Sequence, residues 1–388
     1  MLIGREMTVI GGGIGGLSVA LAATQAGARV TVLEQAEAIT EVGAGIQISP
    51  NGWRVIEALG LSKDLAALSP GGQAVRLRDF RRGAEVFTLP LTEATRPYHF
   101  VHRADLVRVL EQACRQAGVT LRLGARVTEV APEGAENRLA FESGTIEQHG
   151  LTVAADGLHS AARVALNPKS RPFFTGQVAW RCTIPSETPL AAEAHVFMGP
   201  GRHLVRYPLR DGHLINVVAV EERDGWAAEG WYHRDDPDHL RRAFRDFTPD
   251  VRDLLTQAQD VYLWGLFRHP VAETWHDRAL ALLGDAAHPT LPFLAQGANM
   301  ALEDAWVLVR CLSDDPETRN ALARYQELRR QRSMRIVDAA SDNAAYYHLR
   351  PGPYRAAAHL ALKAAARFAP HAVTNRFNWL YDHDVTRI

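Results

Sequence analysis

The sequence predicts an α/β protein, with Rossmann-like nucleotide-binding layers, an inserted mixed β-sheet domain and a helical C-terminal part. Three observations carry this. Residues 7–34 run in order as strand, glycine-rich turn, helix, strand and acid. Residues from about 175 to 267 are rich in strands with alternating faces, and Ala298–Leu312 opens a stretch of helical periodicity. At 388 residues the chain has the length of two or three domains, ample for sizeable cores.

Met7–Ile10 is a short apolar run with β-branched members, as in a buried strand. Gly11, Gly13 and Gly16 then stand at G-x-G-x-x-G spacing. The first allows a tight turn, the second lets a pyrophosphate approach the backbone, and the third lets the next helix pack closely on the sheet. Leu17, Leu21 and Ala22 carry that helix to Gly27, and Ala28–Leu33 is a second apolar strand ending at Glu34. An acid about twenty residues beyond the glycines can hold a ribose hydroxyl pair, while the helix N-terminus favours the anionic phosphates. The order of these parts predicts a dinucleotide site. Taken alone it leaves FAD and NAD(P) both open.

Composition narrows the setting. Hydrophobic residues at 47% and charged residues at 22% are ordinary for a soluble globular chain. A net charge of -1 gives no reason to expect nucleic acid or an anionic membrane as the main partner. Cys114, Cys182 and Cys311 lie far apart without metal-ligand spacing, so we expect no metal site and reduced thiols in a cytoplasmic protein. The chain enters its first strand almost at once and has no run of about 18 apolar residues, so neither a signal peptide nor a membrane span is expected.

Past Glu34, the stretch Glu41–Asn51 carries glycines at 43 and 45, which either let backbone pass close to something flat or simply make a turn. A helix follows from Gly52 to about Leu59. Val75–Phe80 and Glu85–Leu89 alternate around Gly83 as an antiparallel hairpin. His102, Arg103 and Asp105 open a helix that Gly118 ends, with a strand over Val119–Leu123 and shorter ones near 126–130 and 138–142. Leu151–Ala155 is another buried strand, running into Asp156 and Gly157. In the strand-rich part, Asp211–Gly212 is a hairpin turn joining Arg202–Leu209 to His213–Val220, and one helix is expected near 238–247. Leu280–Leu283 returns to buried-strand character before Asp285. The tail is helical, broken at Pro351 and Pro353. Arg355, His359, Lys363 and Arg367 recur at i+4 spacing there and read as a solvated helix face.

Three separated motifs now combine: the glycine turn with Glu34; Ala155-Asp156-Gly157 with Ser160 and Arg163; and Gly284-Asp285-Ala-Ala-His288-Pro followed by Gln296-Gly297-Ala298-Asn299 with Asp304. Together they resemble the single-component, FAD-dependent aromatic hydroxylases of the para-hydroxybenzoate hydroxylase fold, over nearly the whole chain. The loop up to Asn51 and the Ala295–Gly297 stretch look most like the salicylate 1-hydroxylase, 3-hydroxybenzoate 6-hydroxylase and 6-hydroxynicotinate 3-monooxygenase branch. Many relatives carry Gly-Gly-Gln-Gly where this chain has Leu294-Ala295-Gln296-Gly297, a departure that favours the 3-hydroxybenzoate side. Gln47 stands where the hydroxynicotinate enzymes carry His, which weakens that assignment.

The resemblance implies a discontinuous FAD-binding domain (1–72 with 99–174 and 268–320), a substrate-binding β-sheet domain (73–98 with 175–267) and a C-terminal helical region (321–388). It implies FAD contacts at Gly11, Gly13, Gly15, Gly16, Glu34, Gln35, Gln47, Arg103, Val127, Asp156, Asp285, Gly297, Ala298 and Asn299. Asp285, after a buried strand, would accept from ribityl hydroxyls, and the helix opened by Gly297 would face the flavin pyrimidine edge. With a single glycine motif, NADH or NADPH is expected only as a transient co-substrate, on the stretch holding Asp156 and Arg163. The implied reaction inserts oxygen from O₂ into a small aromatic acid through a flavin C4a-hydroperoxide. Leu291, Phe293 and Leu294 would wall it from water.

His203 and Tyr207 share one face of the strand Arg202–Leu209. In hydroxybenzoate relatives such a pair sits over the substrate hydroxyl, so His203 is the candidate base and Tyr207 its neighbour in positioning or relay. His288 reads as structural. Two other readings stay open: a reductase or quinone-ring hydroxylase on the same fold, and a non-catalytic FAD-binding protein. No nucleic acid or stable membrane association is expected, and the chain is expected as a monomer or homodimer.

Overall fold

A computed structural model describes residues 1–39, 44–69, 71–91, 96–223, 225, 233–368 and 375–388. Strand Glu6–Ile10 lies inside a six-stranded sheet, between Arg29–Leu33 and Thr152–Ala154, in parallel register with both. Leu280–Leu282 continues the parallel set beyond Thr152–Ala154, and Thr120–Arg122 closes the other side. The chain thus leaves Glu6–Ile10 to one side first and to the other side later. That is a topological switch point, where open parallel sheets place their ligands beyond the carboxyl ends of the strands. The glycine turn, Asp156 and Asp285 follow three adjacent strands and come together there.

Helix Ile14–Gln25 is buried almost all round, with Leu17, Val19, Ala20, Leu21, Ala22 and Ala23 enclosed. It packs against helices Gly297–Asp314 and Arg103–Ala117, so apolar residues cover more than one of its faces. Gly16 is required where this helix meets the first strand and its glycine turn, since a Cβ there would meet the Gly11 carbonyl.

The inserted sheet has eight strands, and residues 74–90 and 173–268 belong to it together. The hairpin Ala74–Asp79 with Glu85–Pro90 adds to its edge by parallel pairing with Glu193–Gly199. Arg202–Leu209 pairs with Leu214–Glu222 across the expected turn, where Asp211 takes a left-handed φ of 57°. A short two-stranded ribbon, Gly45–Ile48 with His99–His102, runs beneath it. Glu41, Val42 and Gly43 of that loop lie outside the described residues.

Three expectations need correction. The single helix near 238–247 is two, Pro237–Ala243 and Pro249–Thr256. Pro249 lacks an N–H to continue a helix but suits a first helical position, so the chain restarts there. The pair of strands after 126 has a third partner, Ile146–His149. The helix face bearing Arg355 is not wholly solvated: Arg355 is buried, and donates to Asp79 Oδ2 at 2.8 Å and to the Met198 carbonyl at 3.0 Å. The i+4 charge pattern cannot show that one of its members docks on a sheet edge.

Helices Gly297–Asp314 and Thr318–Tyr347 are locked by a buried charge cluster. The Arg329 guanidinium meets Glu303 at 2.6 Å and Asp304 at 2.7 Å, with all three side chains inaccessible. Asp304 also accepts from Gly284 N and bonds His288 Nε2 at 2.5 Å; Glu303 accepts from Asn51 and pairs with Arg332. His288 is thereby held within this buried cluster. These cations hold the Glu303 and Asp304 carboxyls below the usual carboxylate range against the opposing effect of burial.

A carboxylate with a depressed folded pKa contributes stability above its unfolded pKa and loses it as pH falls through the folded value. Stability should therefore drop on acidification below about pH 4, starting where unfolded carboxylates begin to take protons. Asp304→Asn should cost about 3–5 kcal/mol, the usual loss when one partner of a buried pair is removed, and flatten that acid limb. Urea denaturation at several pH values measures both.

Candidate active site

One cleft runs from the glycine turn to the inserted sheet. It is lined by Gly13 and Gly15, by Asp285, Gly297 and Ala298, and by His203 and Tyr207. It encloses about 370 Å³, within the roughly 300–1,000 Å³ of an ordinary small-molecule pocket.

At its nucleotide end, a Cβ on Gly13 would meet nothing within 4 Å, so the backbone there presents an open cradle toward the cleft. Glu34 turns back on this loop, accepting from Gly12 N at 2.6 Å and Ala36 N at 2.9 Å. Gln35 is exposed beside it, and the segment leading to Val127 is held there by Ala125 N donating to the Glu34 carbonyl at 2.8 Å. Glu34, Gln35 and Val127 do not line the cleft itself. Asp156 Oδ2 accepts from Ala161 N at 3.0 Å, and burial raises its carboxyl to about 6. Arg163 is buried and donates to the Ala286 and Ala287 carbonyls, which fixes the turn after Asp285 and leaves it no open face for a passing ligand.

Asp285 faces the cleft, and burial raises its carboxyl against the opposing pull of nearby cationic groups. The first turn of Gly297–Asp314 opens beside it, supplying N–H groups with no intrahelical partner. Asn299 points elsewhere: its amide bonds Ser49 N, the Gln47 carbonyl and the Ala295 carbonyl, pinning the neighbouring loop. Gln47 lines the cleft and accepts from the Tyr98 hydroxyl at 2.6 Å. Arg103 lines it as well. Ala295 holds a left-handed φ of 53°, the conformation that glycine would take at no steric cost. These features fit an FAD: an unobstructed glycine cradle, a carboxylate at the sheet edge and a helix N-terminus on one cleft.

At the other end, Gly45 passes so close to Tyr207 that a Cβ would come within 2.6 Å of the ring. Tyr207 is buried beside Phe100, and burial raises its phenol. His203 is buried among Phe293, Tyr347 and His348, and loss of solvation pushes its pKa well down, so the imidazole is neutral. Leu291, Phe293 and Leu294 form apolar walls.

Several lining residues escape sequence reasoning. Arg181 faces the cleft from strand Phe173–Pro185 and sits 5.2 Å from the Trp264 ring centroid. Burial lowers its pKa to about 10, which still leaves it charged at neutral pH. Its signal was a lone charge within the apolar run Val178–Ile184. Tyr347 and Tyr381 come from the C-terminal helices, where nothing local marks them.

The fold and cleft define a flavoprotein of the hydroxylase type. The chain belongs to the family described as the FAD binding domain, whose model matches residues 5–340. It is 33% identical to 3-amino-4-hydroxybenzoate 2-monooxygenase PtnB3 of Streptomyces platensis, over 99% of this chain and 97% of that one. It is 31% identical to 3-hydroxybenzoate 6-hydroxylase of Klebsiella oxytoca, over 88% of each. Among solved structures, Klebsiella pneumoniae HpxO complexed with FAD and uric acid superposes with a TM-score of 0.82 at 26% identity, over 96% of this chain and 95% of that one. The protein is an FAD-dependent aromatic hydroxylase. Among the described residues no helix is long and apolar enough to cross a membrane, and no residue group suits a metal ion.

Gly13→Val should leave the fold intact, because its side chain enters open space, yet abolish FAD loading. Asp285→Ala should weaken FAD retention. Flavin absorbance per chain, with circular dichroism as the folding control, reads both; full flavin content in Gly13→Val would overturn the cradle assignment.

Proposed function

We propose that the protein hydroxylates a small benzoate-type aromatic acid bearing a ring hydroxyl, using FAD, O₂ and NADH or NADPH. The carrying observation is that His203 and Tyr207 open on the same cleft as Gly13, Asp285 and Gly297. Bound along the glycine cradle, FAD supplies the redox and oxygen-activating chemistry. The rest falls to this chain's residues.

Residues 1–72, 99–174 and 268–320 hold the FAD in this reading, with Gly11, Gly15, Gly16, Glu34, Gln35, Val127 and Asp156 shaping its nucleotide end and Arg103, Gln47, Asp285, Gly297, Ala298 and the backbone of Asn299 its flavin end. Residues 73–98 and 175–267 hold the substrate. Arg181 supplies the positive charge that a ring carboxylate requires in a desolvated cleft. A phenol must approach phenolate before its ring carbon attacks an electrophilic oxygen, and neutral His203 is in the protonation state to take that proton. Tyr207 positions the hydroxyl. Leu291, Phe293 and Leu294 exclude water from the reacting atoms. The substrates for which these relatives are named support this class, since 3-amino-4-hydroxybenzoate and 3-hydroxybenzoate both combine a ring carboxylate with a ring hydroxyl.

Screening hydroxybenzoates, aminohydroxybenzoates and hydroxypyridine acids for stimulated NAD(P)H oxidation, O₂ uptake and a hydroxylated product tests the reading. A matching acid should speed anaerobic flavin reduction at least about tenfold, equivalent to about 1.4 kcal/mol of barrier. NAD(P)H oxidation without hydroxylated product from any acid would favour a reductase. His203→Ala should lower hydroxylation about 10²- to 10⁴-fold with FAD content unchanged, as for loss of a positioned base. Tyr207→Phe should cost less. Product per NAD(P)H oxidised decides; wild-type coupling in His203→Ala would place the base elsewhere.

A further inference from the structure

Three groups of unlike origin line up behind the candidate base. His203 Nδ1 lies 2.7 Å from His348 Nε2, and His348 Nδ1 lies 2.8 Å from Glu222 Oε1. His203 and His348 are 1% and 5% exposed, while the Glu222 side chain is 46% exposed. The series therefore begins at the cleft and ends in water. His203 comes from strand Arg202–Leu209, Glu222 from the end of its neighbour Leu214–Glu222, and His348 from the end of helix Thr318–Tyr347. Gly201 N donates to the His348 carbonyl, and Glu222 N to the Gly201 carbonyl, so backbone bonds fix the register of all three.

We infer that His203, His348 and Glu222 form a proton relay that carries the substrate's phenolic proton from the closed cleft to solvent. This rests on the proposed hydroxylation of a phenolic acid.

The hydrogen bonds set the tautomers. The Glu222 carboxylate only accepts, so His348 carries its proton on Nδ1 and leaves Nε2 as an acceptor. His203 then donates from Nδ1 and presents a bare Nε2 to a ligand in the cleft. Proton passage breaks the phenol O–H and forms His203 Nε2–H. The Nδ1 proton of His203 moves to His348 Nε2, and the Nδ1 proton of His348 moves to Glu222. One negative charge leaves Glu222 and arrives on the phenolate oxygen; each imidazole ends neutral with its tautomer reversed. Glu222 gives its proton to water; after oxygen insertion a proton re-enters at Glu222, and the His203 Nε2 proton passes to the product's phenolate oxygen, which resets both rings.

This route avoids a buried imidazolium. Burial lowers the pKa of both histidines, strongly at His203, where the neighbouring His348 adds to the effect. A lone His203 would have to hold a full positive charge among Phe293 and Tyr347. Among the described residues, the titratable groups beside the relay are otherwise engaged or neutral. Tyr347 is raised to about 12 and stays neutral, Arg202 is turned to the Ala243 carbonyl and Asp246, and Arg223 is paired with Glu221.

The test uses FAD-loaded protein with the aromatic acid that stimulates wild-type turnover. Stopped-flow mixing under anaerobic conditions in weak buffer with a pH indicator follows proton release as the acid binds. Wild type should release about one proton per bound ligand. His348→Gly should keep its FAD, slow that release at least about tenfold, lower product per NAD(P)H to a similar degree, and regain both with added imidazole. Glu222→Gln, an exposed change that leaves packing intact, should also slow release and shift the pH profile of hydroxylation. Wild-type release rates in either variant, or a loss in His348→Gly that imidazole does not restore, would overturn the relay. A wild-type protein that hydroxylates no phenolic acid would instead overturn the functional reading.

Discussion

The Arg329 cluster is the constraint on which the site depends. Burying a guanidinium between two carboxylates is costly unless every partner is met, and here Asp304, Glu303, His288, Arg332 and Asn51 meet one another. The cluster does more than join two helices. Asp304 receives Gly284 N and so sets where the sheet strand ends and the Asp285 turn begins. Glu303 grips Asn51, which with Ser49 and Gln296 ties the loop after Gly45–Ile48 to the start of helix Gly297–Asp314. Both edges of the cleft are thereby referenced to one buried cation.

From that frame the cleft acquires two unlike ends. The nucleotide end is built from backbone: a glycine turn, strand termini and a helix N-terminus, all suited to phosphates and hydroxyls. The sheet end is built from side chains on regular strands, where packing fixes their rotamers. Desolvation acts on His203, Tyr207 and Arg181 alike, but with different results. It keeps the histidine and tyrosine neutral while leaving the arginine charged. A neutral acceptor and a cation on one cleft are what a phenolic carboxylate needs.

The C-terminal helices close this arrangement. Tyr347 and Tyr381 line the cleft, His348 touches His203, and Arg355 anchors the following helix on the inserted sheet through Asp79. A region that reads in sequence as ordinary helix with a charged face supplies part of the wall and the contact behind the candidate base.

The nucleotide-binding half was legible because its signals are local: glycine spacing, buried strands and an acid at a strand end follow one another along the chain. The alternation of Arg202–Leu209 likewise placed His203 and Tyr207 on one face, since side chains in a strand repeat every two residues. Helix boundaries around Pro249 and the third strand Ile146–His149 were less legible because short elements carry little periodicity. Asn299 could be placed on the right helix but not aimed, as the direction of an amide depends on which backbone groups pack beside it. What the sequence by itself determined was the sheet order's raw material, the dinucleotide motif and the chemistry available. Tertiary structure alone decided that Arg181 enters the cleft, that Arg163 is spent on carbonyls, and that His348 and Glu222 stand behind His203. Those pairings join residues 145 and 126 positions apart, and no local pattern encodes a contact made only when distant elements pack.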